Sequence, residues 1–219
     1  TPFLGLAIFI GLIAVVFLFA KLPKMISESV TGTYSDAFKN KNLMLGVLGI
    51  FFYVGAEVSI GSYLVNYFLD MNLLDIIKNN GVMKSIAEGI LSSDLANNDP
   101  KAIVGVFVTF YWSGAMIGRF VGSYLTRVMK PGKVLGVFAT LAISLIAISI
   151  STNGLVSMWS ILAVGLFNSI MFPTIFTLAI DGIGELKPKA SGLLCTAIVG
   201  GAIIPPAYGL LTDQIGFKT

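Results

Sequence analysis

Six apolar stretches dominate this chain, at residues 2–20, 43–69, 102–126, 134–151, 157–180 and 190–211. Four of them carry no charge; the second holds only Glu57 and the third only Arg119. A helix needs about 20 apolar residues to cross the ~30 Å hydrocarbon core of a bilayer. In lipid, only helices and closed barrels satisfy their backbone polar groups. Barrel strands are shorter and alternate polar with apolar residues, which these runs do not. The expected fold class is therefore an all-α integral membrane protein with six transmembrane helices.

Composition closes off other classes. Charged residues make up 11% of the 219 residues, against about 25% in a typical soluble domain. No histidine is present, which excludes histidine metal ligation and histidine acid–base catalysis. The single cysteine, Cys195, leaves no internal disulfide. Basic residues do not cluster beside exposed aromatics, so the expectation is no nucleic-acid partner. The chain is apolar from its first residues, without a basic leading segment. Its start reads as the middle of a longer protein and its end as a loop cut short.

Lysine and arginine in short loops set orientation. Alternating loops place Lys21, Lys24, Lys39, Lys41, Arg127, Lys130, Lys133, Lys187 and Lys189 on one side, and Lys78, Lys84, Lys101 and Lys218 on the other. The first side is expected to be cytoplasmic, with both ends of the chain outside. The long outer loop, residues 70–100, contains Val82, Met83, Ile86 and Ile90 at helical spacing. A short amphipathic interfacial helix and a flexible loop both fit it.

Polar residues inside the apolar runs carry the functional reading. Glu57 lies near the middle of the second span. A charge at that depth costs ~2.5–3.5 kcal/mol or more, so it should face the bundle interior or a water-filled cavity. There it can take up and release a proton, or serve a structural interhelix hydrogen bond. At 100° per residue Tyr53, Glu57, Gly61 and Leu64 share a face, whereas Asn66 lies on another. Tyr111 and Trp112, midway along the third span, read either as packing or as a cavity-lining platform for a sugar ring. Arg119 sits among Gly114, Gly118 and Gly122, where small residues let helices approach. It reads as a gate or as a snorkelling side chain. Pro173 frees a backbone carbonyl one turn back, near Ser169, beside Asn168, Phe172 and Thr174. Kinked helices at the midplane mark transporters. Gly200-Gly201 and Pro205-Pro206 are expected to weaken the sixth span toward its outer end.

Together, four strings in register carry a family resemblance. The run from Phe52 to Leu64, FYVGAEVSIGSYL, resembles the seventh helix of the fucose:proton symporter family of the major facilitator superfamily, in its glucose/galactose transporter branch. Gly118-Arg119-Phe120 resembles the eighth helix. The run from Met171 to Phe176 and Ile198-Val199-Gly200-Gly201-Ala202 resemble the tenth and eleventh. The resemblance implies a twelve-helix fold in two six-helix bundles, with this chain supplying helices 6–11. Residues 1–20 would be the last helix of the N-terminal bundle, 21–42 a cytoplasmic inter-bundle linker, and 43–219 a C-terminal bundle lacking its final helix. In fucose carriers of the family, the carboxylates assigned to proton transfer lie in the first bundle and an amide stands where this chain has Glu57. That departure favours a glucose/galactose-like specificity.

The implied activity is cation-coupled symport of a hexose such as glucose, galactose or fucose across the cell inner membrane by alternating access. The alternative is a major facilitator antiporter of drugs or other metabolites. No enzyme activity and no cofactor are expected, the coupling ion being a proton or sodium. The expected partners are a sugar, the lipid bilayer and the N-terminal six-helix bundle of the same protein. Candidate substrate-binding or coupling residues are Glu57, Tyr53, Asn66, Tyr111, Trp112, Asn168, Phe172 and Pro173, with Arg119 in gating and no metal site.

Overall fold

A computed structural model describes residues 2–20 and 33–217. Most of the expected inter-bundle linker, with Lys21 and Lys24, lies outside the described residues, as does Lys218. The chain divides into two units, Thr1–Thr31 and Gly32–Thr219. The described part of the first is one helix, α1 (Pro2–Phe19). It is apolar on every side and exposed along its length, as a helix surrounded by lipid or by other helices is. Its 18 residues reach about 27 Å, at the short end of what spans a bilayer.

The second unit is helical throughout its described residues. A short α2 (Tyr34–Lys39) leads into the long α3 (Lys41–Asp70). At this boundary the Asn40 side chain accepts the Leu43 N–H at 3.1 Å, satisfying one orphan donor of the new helix. Then come α4 (Leu73–Asn79), α5 (Gly81–Leu91), α6 (Pro100–Val128) and α7 (Pro131–Ser151). Asp99 caps α6 through the Lys101 N–H at 2.7 Å, and proline at the first position of α6 and α7 suits a turn whose N–H has no helical partner anyway. The fifth span is two helices, α8 (Gly154–Asn168) and α9 (Met171–Ala179), and the sixth is α10 (Lys187–Ala197) followed by α11 (Gly200–Ile215). Among the described residues five segments are long and apolar enough to cross a membrane, at Lys41–Asp70, Pro100–Val128, Pro131–Ser151, Gly154–Ala179 and Gly184–Ile215. With α1 they correspond to the six expected apolar runs.

Glycines set the closest helix crossings. A Cβ at Gly118 on α6 would overlap the Leu166 carbonyl of α8, and one at Gly165 on α8 would overlap the Tyr111 carbonyl of α6. Likewise, α11 rests on α3 where Gly200 meets the Phe51 carbonyl. The larger apolar core joins α3, α4, α6 and α8 through Phe68, Leu73, Ile77, Ile103, Phe107 and Met158. A smaller core at the lysine-rich end joins α2, α3 and α10 through Ala37, Leu43, Ile50, Ala190 and Leu194.

Two details differ from expectation. Residues 70–100 form α4, α5 and a 3-10 turn at Leu95–Asn97. In α5 Met83 and Ala87 are buried while Val82 and Ile90 are exposed, so the packed stripe is rotated from the one the spacing selected. Packing of α5 against α4 and α6 decides that face. The sixth span breaks at Ile198–Val199, directly ahead of the Gly200-Gly201 pair expected to weaken it, whereas Pro205-Pro206 lie within α11. Tight three-residue turns, Ile198 N–H to Cys195 O and Val199 N–H to Thr196 O, replace helical bonds at the break and let Gly200 seat on α3.

Candidate functional site

The site is built around the break in the fifth span. α8 ends at Asn168, Ser169 and Ile170 form a turn, and α9 starts at Met171. Pro173 is then the third residue of the restarted helix, where a missing N–H costs no internal bond. Its ring nitrogen cannot take the Ser169 carbonyl one turn back. That carbonyl instead accepts the Arg119 Nε–H from α6 at 3.4 Å. The neighbouring Asn168 carbonyl accepts the Tyr53 hydroxyl from α3 at 2.7 Å. Two backbone acceptors at mid-span are thus held by side chains of two different helices.

Asn168 is buried and donates its side-chain Nδ2–H to the hydroxyl of buried Tyr111 at 3.1 Å. Tyr111 packs edge-on against Trp112, ring centroids 5.3 Å apart. Trp112 is 54% exposed, and its ring edge lies over Gly61 of α3. The close approach that glycine permits is filled by this indole. Glu57, one turn after Tyr53, is partly buried and lies within electrostatic reach of Tyr53, Tyr111 and Arg119. The α6 glycine stripe places Arg119: Gly114 and Gly118 lie on Leu166, and Gly122 on Ile170.

The structure therefore brings Tyr53, Glu57, Tyr111, Trp112, Arg119 and Asn168 together around the break. Phe172 and Pro173 form the first turn of α9, Phe172 partly buried and Pro173 exposed. Asn66 does not join them; it is exposed and, nine residues after Glu57, points about 180° away on a regular helix. Among the described residues no group of three or more acids or cysteines is arranged to hold a metal.

Two features were not singled out in the sequence. Tyr67, Ser149 and Ser157 form a buried hydrogen-bond knot tying α3 to the α7–α8 turn. In it the Tyr67 hydroxyl lies 2.8 Å from Ser157 Oγ and 3.0 Å from Ser149 Oγ. The only hint is a pair of serines flanking the Thr152-Asn153-Gly154 turn. A cavity of about 440 Å³ lies alongside, lined by Ser59, Tyr63, Tyr67, Ser149, Tyr208 and Phe217 among others. Its lining includes none of the residues around the break.

A bundle of apolar helices, crossed at mid-depth by a broken span with an acid and an arginine beside it, is a multi-pass membrane protein. No protein-family model matches the chain. It is 42% identical over 221 residues to the glucose/galactose transporter of Brucella abortus, covering 98% of this chain and 47% of that protein. It is 41% identical over 215 residues to the putative glucose/galactose transporter of Helicobacter pylori, again 98% and 47%. With the L-fucose-proton symporter of Escherichia coli it shares 28% over 224 residues, 99% and 46%. The crystal structure of FucP, a major facilitator superfamily transporter in the outward conformation, matches with a TM-score of 0.74 at 25% identity, over 99% of this chain and 49% of that one. Over nearly its whole length the chain is thus similar to glucose/galactose transporters and to L-fucose-proton symporters, and it has the fold of a major facilitator superfamily transporter. It spans about half the length of the curated relatives it matches.

Proposed function

We propose that this chain supplies most of the second half of a proton-coupled hexose transporter of the inner membrane. Residues 1–20 end the N-terminal bundle, 21–42 are the cytoplasmic linker, and 43–219 form the C-terminal bundle without its final helix. The whole protein moves a glucose- or galactose-like sugar by rocking its two bundles about a midplane site. The observation that supports this best is the convergence of Glu57, Tyr53, Arg119 and Asn168 on a broken span at mid-membrane. An ionisable residue at that depth is costly unless it serves a pathway. The names of the relatives, transporters of glucose and galactose and proton symporters of fucose, support sugar as cargo and the proton as driver.

In this reading Trp112 offers its exposed ring face to the apolar side of a sugar, and Asn168, Tyr111 and Tyr53 order the polar wall. Phe172 and Pro173 shape the start of α9 beside that wall. Glu57 carries the coupling proton, and Arg119 controls closure at the lysine-rich end. Coupling is reciprocal: a proton that favours sugar binding is itself held more tightly when sugar is present. The test is uptake of labelled glucose, galactose and fucose by the full-length protein in proteoliposomes under imposed pH or sodium gradients. Accumulation of one of the first two with a pH gradient supports the reading. No uptake of any hexose under either gradient rejects it.

A further inference from the structure

The two carbonyls at the break and the Glu57 side chain draw on the same two donors. Tyr53 owns one hydroxyl hydrogen; it points to the Asn168 carbonyl at 2.7 Å, while Glu57, one turn along α3, stands close enough to compete for it. Arg119 gives its Nε–H to the Ser169 carbonyl over a long 3.4 Å, and its other N–H groups are free to turn toward a carboxylate. Glu57 lies within electrostatic reach of both side chains. An ionised carboxylate only accepts hydrogen bonds, and those it accepts are about twice as strong as bonds between neutral groups. A protonated carboxyl instead donates. It can give its own hydrogen to the Tyr53 oxygen while Tyr53 keeps the Asn168 carbonyl.

We propose that Glu57 is the positioning residue of the broken span: ionised, it draws Tyr53 and Arg119 off the Asn168 and Ser169 carbonyls, and protonated, it returns them. Loss of the proton from Glu57 then uncaps the break and loosens residues 169–174, and its uptake recaps and stiffens them. Pro173 makes the arrangement a switch, because it leaves the Ser169 carbonyl without a backbone donor of its own. Tyr111 on α6 is the remaining titratable neighbour of Glu57. α8 and α9 carry no titratable side chain, and Tyr208 of α11 lines the separate cavity. The consequence for transport rests on the function proposed above: cation occupancy would be felt directly by a helix that lines the sugar path.

The test needs no sugar and no uptake. Hydrogen–deuterium exchange is followed in peptides covering residues 168–175 of the full-length protein in nanodiscs, in wild type and in Glu57→Gln, across pH. At high pH these amides should exchange about tenfold more slowly in Glu57→Gln, with the two proteins converging as pH falls and wild-type Glu57 protonates. Arg119→Met, which has no donor, should speed exchange in the same peptides, and Pro173→Ala, which restores a backbone donor to Ser169, should abolish that effect. If Arg119→Met does not fold, Arg119→Lys, which keeps a donor, should leave the response to pH in place. Equal exchange in wild type and Glu57→Gln at every pH overturns the proposal. So does acceleration by Arg119→Met that is the same with and without Pro173→Ala. A protein that moves no sugar yet shows the exchange pattern rejects the transport function while leaving the switch intact.

Discussion

Gly118→Ala is the substitution whose cost the structure defines best, with Gly136→Ala as its control. Both glycines lie inside helices, and alanine in place of glycine gains about 1 kcal/mol from helix propensity at either. Nothing lies within 4 Å of a Cβ added at Gly136, so that variant should keep the gain. At Gly118 the new methyl would overlap the Leu166 carbonyl oxygen and stand 2.5 Å from Ser169 Oγ and 2.8 Å from the Leu166 carbonyl carbon. The first and third are backbone atoms of α8, so a rotamer change cannot clear them, and α6 must move outward by about an ångström. Overpacking of this kind costs about 1–3 kcal/mol, which cancels or exceeds the propensity gain. The two variants should therefore differ by about 1–3 kcal/mol in the same direction. Thermal unfolding of the full-length protein in detergent reads the difference, at no more than about 2–4 °C per kcal/mol. Equal melting temperatures would show that α6 and α8 do not cross on this glycine, and the placement of Arg119 against the break would fall with it.

Other outcomes follow from single contacts. Tyr67→Phe should cost only about 1 kcal/mol, because Ser149 and Ser157 still bond each other's carbonyls at 2.9 and 2.8 Å; a loss beyond ~3 kcal/mol in the same melt would mean the knot is not redundant. Tyr111→Phe leaves the buried Asn168 amide without its acceptor, the Tyr111 hydroxyl, and should cost about 1–3 kcal/mol. Tyr111→Phe with Asn168→Leu should be less harmful than the sum of the two single changes. At the start of α2 the Thr33 N–H, bonded to Asp36 at 2.9 Å, and then Lys39 hold the Asp36 carboxyl below the usual range. Its folded pKa is depressed, so the contribution is present above the ordinary aspartate pKa and lost as pH falls through the folded one. Amide exchange across residues 34–39 should rise in that acidic window, and Asp36→Asn should remove the pH dependence.

Much of the fold is legible as hydropathy because lipid forces every spanning segment to hide its own backbone. Long apolar runs therefore map directly onto α3, α6, α7 and the two broken spans. What the letters do not show is where a broken span breaks. Pro173 marks a disturbance, yet the turn falls at Ser169 and Ile170, so that the proline sits in a helix's first turn. Pro205 and Pro206 mark one too, yet the sixth span parts at Ile198, where Gly200 has to meet α3. Glu57, Tyr53, Asn168 and Arg119 stand out because each is polar in an apolar run. Their common partners, the carbonyls of Asn168 and Ser169, are backbone groups that every residue possesses, so no spacing announces them. Asn66 shows the converse. It is polar in an apolar run but lies on the far side of its helix from Glu57. The Tyr67–Ser149–Ser157 knot joins residues 82 and 90 positions apart, and serines at helix ends are too ordinary to advertise it.

The most direct test of the central claim is gradient-driven galactose or glucose uptake by full-length protein in proteoliposomes, with Glu57→Gln beside wild type. A glutamine keeps the shape of the side chain but carries no exchangeable charge. Wild type should accumulate sugar when a pH gradient is imposed. Glu57→Gln should still exchange labelled for unlabelled sugar across the membrane but lose accumulation. Undiminished proton-driven accumulation by Glu57→Gln would contradict it.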